Sequence, residues 1–247
     1  MQGSRTTIDI VHLSCPPSSC YDTSNSREGG FIDNEMWLFD NNNNSCVDPN
    51  GHPGVCWVEG GYLTVTNSPN ATTENYFWAD LRPSFTIGGL TFGSNFNLHI
   101  LSQVPQGDYG HQVDILIYSG TTHVCIPPAS PPYGGCIPPI TDEYFVSFSS
   151  PNFRSVSLST HNAMHPNRFD VGQELAGAGG ASAPTAHFTN NSFATFTSGL
   201  AGVRYTPEGA DGIPFLSVSG APPPTVGYTT KPSQAPGTGG NIYSNCC

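Results

Sequence analysis

The stretch Trp57-Val58-Glu59-Gly60-Gly61-Tyr62-Leu63-Thr64-Val65-Thr66 decides the fold. It is dense in β-branched and aromatic residues, which suits a pleated strand better than a helix. Side chains alternate between the two sides of a strand. Trp57, Glu59, Gly61, Leu63 and Val65 therefore share one face, and Val58, Gly60, Tyr62 and Thr64 share the other. Glu59 sits among apolar neighbours, flanked by Trp57.

Outward from this stretch the same rhythm continues. Short β-prone runs are predicted near 6–13, 35–39, 55–66, 75–82, 95–103, 111–118, 121–126, 143–149, 153–159, 168–175, 185–196 and 213–219. Clusters of Gly, Pro, Asn and Ser separate them. With 28 Gly, 23 Pro and only 10% charged residues in 247, little remains to build amphipathic helices. The pattern predicts an all-β, two-sheet antiparallel sandwich of the concanavalin or jelly-roll kind. A chain of this length suits one such domain, over residues 1–220. The Pro/Gly-rich segment 221–247 reads as a linker or surface-wrapping tail.

The net charge of −11, from 7 basic and 18 acidic residues, disfavours nucleic acid and anionic membranes as partners. A chain with so few bases avoids heavy positive self-repulsion in acid, so acid tolerance is expected. No run of about 18 apolar residues occurs to span a membrane.

Eight cysteines lie in closely spaced twos, with Cys15 near Cys20, Cys46 near Cys56, Cys125 near Cys136, and Cys246 next to Cys247. Cys46/Cys56 and Cys125/Cys136 flank turn-rich stretches, as disulfide-closed loops of a secreted protein would. The polar start Met1-Gln2-Gly3-Ser4-Arg5 reads as a mature chain whose export signal has been replaced by an initiator Met. Asn-x-Ser/Thr sequons stand at Asn43, Asn70 and Asn190.

The chemistry-bearing candidates are carboxylates. Asp170, Gly172 and Glu174 in Phe169-Asp170-Val171-Gly172-Gln173-Glu174-Leu175 share one strand face, with the glycine leaving room between two acids. Brought near Glu59, such groups cannot all ionise cheaply, so one keeps its proton as an acid while another acts as a base. In Tyr76-Phe77-Trp78-Ala79-Asp80-Leu81-Arg82, one face carries Tyr76, Trp78, Asp80 and Arg82, which looks like the floor of a binding cleft.

These elements, in this order, resemble those of the glutamic peptidases of the eqolisin and neprosin types. Glu59-Gly60-Gly61-Tyr62 is similar to their first catalytic element, and Tyr76 to Pro83 to the aromatic, proline-ended strand that follows it. Val104 to Asp108 resembles their turn into the next strand. Asp170 to Glu174 resembles the second catalytic element, with Asp170-Val171 in place of the family's Glu-Trp, and Ala186 to Asn190 resembles the strand after it. The resemblance covers roughly 35–196 by pattern. It implies a two-sheet sandwich that hydrolyses peptide bonds in acid without a metal or cofactor. Glu59, Glu174 and Asp170 would be catalytic; Trp57, Tyr76 and Trp78 would shape the substrate groove. Gln173 would serve as an oxyanion-stabilising amide if its strand twists.

Two further classes stay open, a glycan-binding or glycan-degrading sandwich built on exposed Tyr76 and Trp78, and a non-catalytic structural protein. The expected partner is a polypeptide or polysaccharide. Weaker metal signals are an oxygen-rich run at 40–51 for calcium, His161 with His165, and His99, His111 and His123 on separate strands; a polar turn, a surface loop and ordinary strand residues account for them better.

Overall fold

The computed structural model describes residues 3–18, 20, 31–40, 46–47, 53–87, 90–122, 125–126, 135–136, 140–160, 168–176, 186–196, 203–207, 229–232 and 242–245. They form an all-β, two-sheet antiparallel sandwich. The principal strands are β1 (Gly3–Asp9), β2 (Phe31–Asp40), β3 (Cys56–Ser68), β4 (Ala71–Arg82), β5 (Asn95–Gln103), β6 (Gln112–Thr122) and β7 (Ile140–Ser149). After them come β8 (Arg154–Thr160), β9 (Arg168–Ala176), β10 (Ala186–Phe196), β11 (Val203–Pro207), β12 (Thr229–Pro232) and β13 (Ile242–Asn245). One sheet has five strands in the order β9-β2-β3-β4-β5. The other has eight, in the order β8-β7-β6-β1-β10-β13-β12, with β11 also pairing β10. β12 and β13 belong to the segment read as a tail, and their backbones continue the larger sheet.

Alternation puts one apolar set between the sheets. From the five-stranded sheet come Met36, Leu38, Val58, Tyr62, Tyr76 and Trp78, and from its partner Ile8, Val113, Ile115, Val146, Phe148 and Phe188, all buried in one cluster. Each such side chain contributes about 1.5–3 kcal/mol by leaving water. Gly60 marks the contact plane, since a Cβ added there would meet Val146 Cγ1 at 2.8 Å and Phe148 Cζ at 3.2 Å. The Gly60 side of β3 is thus the inner face, and the Glu59 side points away from the partner sheet.

Disulfides join Cys15 to Cys20 and Cys46 to Cys56. In a separate two-stranded ribbon Cys125 is paired directly with Cys136 in backbone register. The local staple expected at 46/56 is thus present, and at 125/136 the two cysteines stand opposite each other in strand register. Cys246, Cys247, the 213–219 run, His123, His161, His165 and most of the 40–51 loop lie outside the described residues. Among the described residues no helix is long and apolar enough to cross a membrane.

The open ends of the sandwich are closed by polar contacts. The 3-10 turn Gln106–Asp108 delivers Asp108, 0% exposed, into a ring of donors. Tyr76 Oη donates to it at 3.2 Å, Ser150 Oγ at 2.6 Å, Asn152 N at 3.0 Å and Asn152 Nδ2 at 2.7 Å. Burial pushes the Asp108 carboxyl up, but these four donors outweigh it and hold it below the ordinary aspartate value. Burial likewise raises the Tyr76 and Tyr62 hydroxyls, so both remain protonated donors.

A carboxylate whose folded-state pKa is depressed stabilises the fold above its unfolded value, and that contribution is lost as pH falls through the folded value. Asp108→Asn turns one acceptor oxygen into a donor facing other donors, and is expected to cost about 2–3 kcal/mol at neutral pH. The gap between wild type and variant, read from denaturant unfolding, should narrow as pH drops below about 4. A gap that stays constant down to acid would contradict this account of the site.

Candidate functional site

The pairing registers decide which acids meet. On β2, Glu35 lies opposite Gly61 of β3 and opposite Gly172 of β9. Two residues along, Trp37 lies opposite Glu59 and Asp170, and in the other direction Asp33 lies opposite Leu63 and Glu174. Glu59, Asp170 and Glu174 are therefore all diagonal neighbours of Glu35 on one face, at a spacing of about 7–8 Å between backbones. That face is the outer one, opposite to Gly60.

Glu59 and Asp170 stand two strands apart in one row with Trp37 between them, about 10 Å by strand spacing. Glu174 is four residues further along its strand than Asp170, so it neighbours Asp33 and Glu35 rather than Glu59. The three expected acids thus share one face, but neither Asp170 nor Glu174 lies beside Glu59, and the acid at the centre of the group is one that sequence reasoning passed over. Glu35 is 0% exposed, with both carboxyl oxygens buried, and Asp33 is 2% exposed. Glu59 is half-buried. A signal for Glu35 was present in the alternation of Asp33, Glu35 and Trp37, had the second strand been taken to begin at residue 31 rather than 35.

The local sequence explains the crowding. A Cβ on Gly61 would fall 2.2 Å from the Asn34 carbonyl oxygen and 2.6 Å from Glu35 Cβ, so only glycine lets Glu35 lean over β3. Around the acids the face is apolar. Leu63, Val65, Phe77 and Ala79 form a second buried cluster, with Trp57, Phe96, Leu98 and Ile100 partly buried against it. Trp57 meets Phe96 edge-on at 5.9 Å, and Trp37 stacks on Phe39 at 6.4 Å.

The other expected groove residues do not join this face. Tyr76 and Trp78 are 0% and 6% exposed on the inner face, where Tyr76 stacks on Phe153 at 4.5 Å and Trp78 on His99 at 4.1 Å. They are core side chains, and the cleft floor read from Tyr76, Trp78, Asp80 and Arg82 is corrected accordingly. Asp80, on the same face, is 1% exposed and accepts from Asn97 Nδ2 at 2.6 Å. The burial of Tyr76 and Trp78 also takes away the aromatic platform on which the glycan reading rested. Gln173 is 0% exposed on the inner face too, donating through Nε2 to Asn34 Oδ1 at 3.0 Å while Asn34 Nδ2 donates to Tyr62 Oη at 2.7 Å. Its amide ties β9 to β2 and β3 and faces away from Asp170 and Glu174, as the alternation of their strand requires.

A second polar region borders a shallow cleft of about 670 Å³ lined by Asp9, Ile10, Val11, Gly110, His111, Gln112 and Pro151. Its carboxylate is already engaged, since Asp9 is bonded to His187 Nδ1 at 2.7 Å and accepts from Gln112 Nε2 at 2.7 Å. Glu74, at the same end, accepts from Leu13 N at 2.9 Å and from Tyr109 Oη at 2.8 Å. These carboxylates brace the chain entering and leaving the sheets. Among the described residues no group of three or more His, Cys, Asp or Glu has the geometry of a metal site.

Compared with models of protein families and with curated proteins, the chain matches none.

The two adjacent glycines of β3 yield a test of the site's construction. Gly61→Ala is expected to destabilise more than Gly60→Ala, because its methyl meets backbone while that of residue 60 meets side-chain ends. Overpacking of the second kind costs about 1–3 kcal/mol. Equal costs in denaturant unfolding would show that Glu35 does not depend on close approach at Gly61.

Proposed function

We propose that this protein is a secreted, acid-acting hydrolase, most specifically a glutamic-type endopeptidase whose outer-face carboxylates activate water. The observation that carries the reading is the register that gathers Glu59, Asp170 and Glu174 around buried Glu35 on a face walled by Trp37 and Trp57. Carboxyl groups crowded in a water-poor setting share protons, so one serves as acid while its neighbour serves as base. Half-buried Glu59 is the base: it takes a proton from water as the oxygen attacks the peptide carbonyl. Glu35, shielded from solvent, holds the proton that the departing amine needs. Asp170 flanks Trp37 on the side away from Glu59, and Glu174 lies further along the same face. The resemblance of the Glu59 and Asp170–Glu174 elements to those of glutamic peptidases supports the same assignment, and the disulfides support an oxidising, extracellular setting.

The purified protein is expected to cleave unfolded polypeptide at about pH 3–5, with Glu59→Gln and Glu35→Gln, each confirmed folded by its unfolding transition, lowering kcat on the order of a hundredfold or more. Asp170→Asn and Glu174→Gln rank the outer pair by the size of their effects. Cleavage that survives both the Glu59 and the Glu35 substitutions, or no cleavage in this pH range, would remove the peptidase assignment.

A further inference from the structure

Two of the three sequons lie among the described residues, and the structure sets them in opposite circumstances. Asn70 occupies the two-residue turn Pro69-Asn70 that joins β3 to β4, where Ser68 pairs with Ala71. Residues 67–71 are exposed without interruption. The side-chain amide of Asn70 makes no hydrogen bond to another described residue. Beneath the turn the hairpin is anchored, because Thr72 Oγ1 donates to the Cys15 carbonyl at 3.2 Å and Thr66 Oγ1 to the Cys20 carbonyl at 3.3 Å. The base is therefore held against the Cys15–Cys20 loop while the tip projects into solvent.

Asn190 is exposed as well, but its backbone is left-handed, with φ 54°, at the irregularity where β10 shifts register against β1. There its Nδ2 donates to Thr7 Oγ1 at 3.0 Å, beside the bond from Thr6 Oγ1 to Asn191 Oδ1 at 2.7 Å. An N-glycosidic bond replaces one amide hydrogen with a bulky sugar. At Asn190 that sugar would crowd the contacts that fix the register between β1 and β10, and at Asn70 it would meet only water.

We propose that Asn70 is an N-glycan acceptor of the folded, secreted protein and that Asn190 is not. The disulfides fit the oxidising compartment in which such glycans are added. Ser68 lies nine positions beyond Glu59, about 30 Å along the strand, and five beyond Leu63, the level of Glu174, and the inference rests on the turn alone and is independent of the hydrolase reading.

The test is to secrete the full chain and its Asn70→Gln variant from an N-glycosylating eukaryotic host and map glycopeptides by mass spectrometry before and after peptide-N-glycosidase treatment. In the wild type, treatment should convert the asparagine at position 70 to aspartate and leave Asn190 as asparagine, and Asn70→Gln should lose one mobility step. Wild-type protein with Asn70 unmodified, or with a glycan on Asn190, overturns the proposal. Should the variant fail to be secreted, the wild-type glycopeptide map by itself decides between these outcomes.

Discussion

The register of Phe31–Asp40 between its two neighbours is the constraint on which the rest of the molecule depends. A slip of one residue would carry Asp33, Glu35 and Trp37 into the interior and drive Asn34, Met36 and Leu38 outward, since side chains alternate with a period of two. Three features oppose that slip. Met36 and Leu38 are fully buried between the sheets. The bonds linking Gln173, Asn34 and Tyr62 cross all three strands at one level. The paired glycines of β3 then serve opposite faces, Gly60 admitting the partner sheet and Gly61 admitting Glu35.

Buried acids are costly, and this protein carries several of them for different ends. Asp108 is surrounded by four donors, and Glu74 joins a loop amide to a tyrosine hydroxyl, so each has its charge met by groups from distant parts of the chain. Such carboxylates fasten loops to the ends of the sheets. On the outer face it is the strand register that sets acids in one neighbourhood, with Glu35 diagonal to Glu59, Asp170 and Glu174 at once.

The two-sheet sandwich and the division of residues between strand faces were legible in the sequence, because alternation is a local property. The run 95–103 was located to the residue, and 55–66 and 168–175 to within two. Which face of a strand meets the other sheet is a tertiary fact, and there local reasoning failed at Tyr76 and Trp78. Asp80 and Arg82 on the same side made that side look wet, yet Asp80 is held by Asn97 and the aromatics are core. Glu35 was overlooked for a related reason. Asp33-Asn34-Glu35 has poor strand propensity, so the strand was started late; its extension to Phe31 is imposed by pairing on both sides. β12 and β13 went unread because the prolines and glycines around them outweigh two strands of four residues each.

Acid acts on the fold in two ways of opposite sign. Protonating Asp108 removes a favourable interaction, because its donors prefer the ionised form. A protein with a net charge of −11 also moves toward neutrality over the same range instead of accumulating positive charge. The fold therefore loses a loop clasp as pH falls while its net negative charge declines, and what continues to hold the two sheets together is the apolar layer between them, whose burial does not depend on protonation.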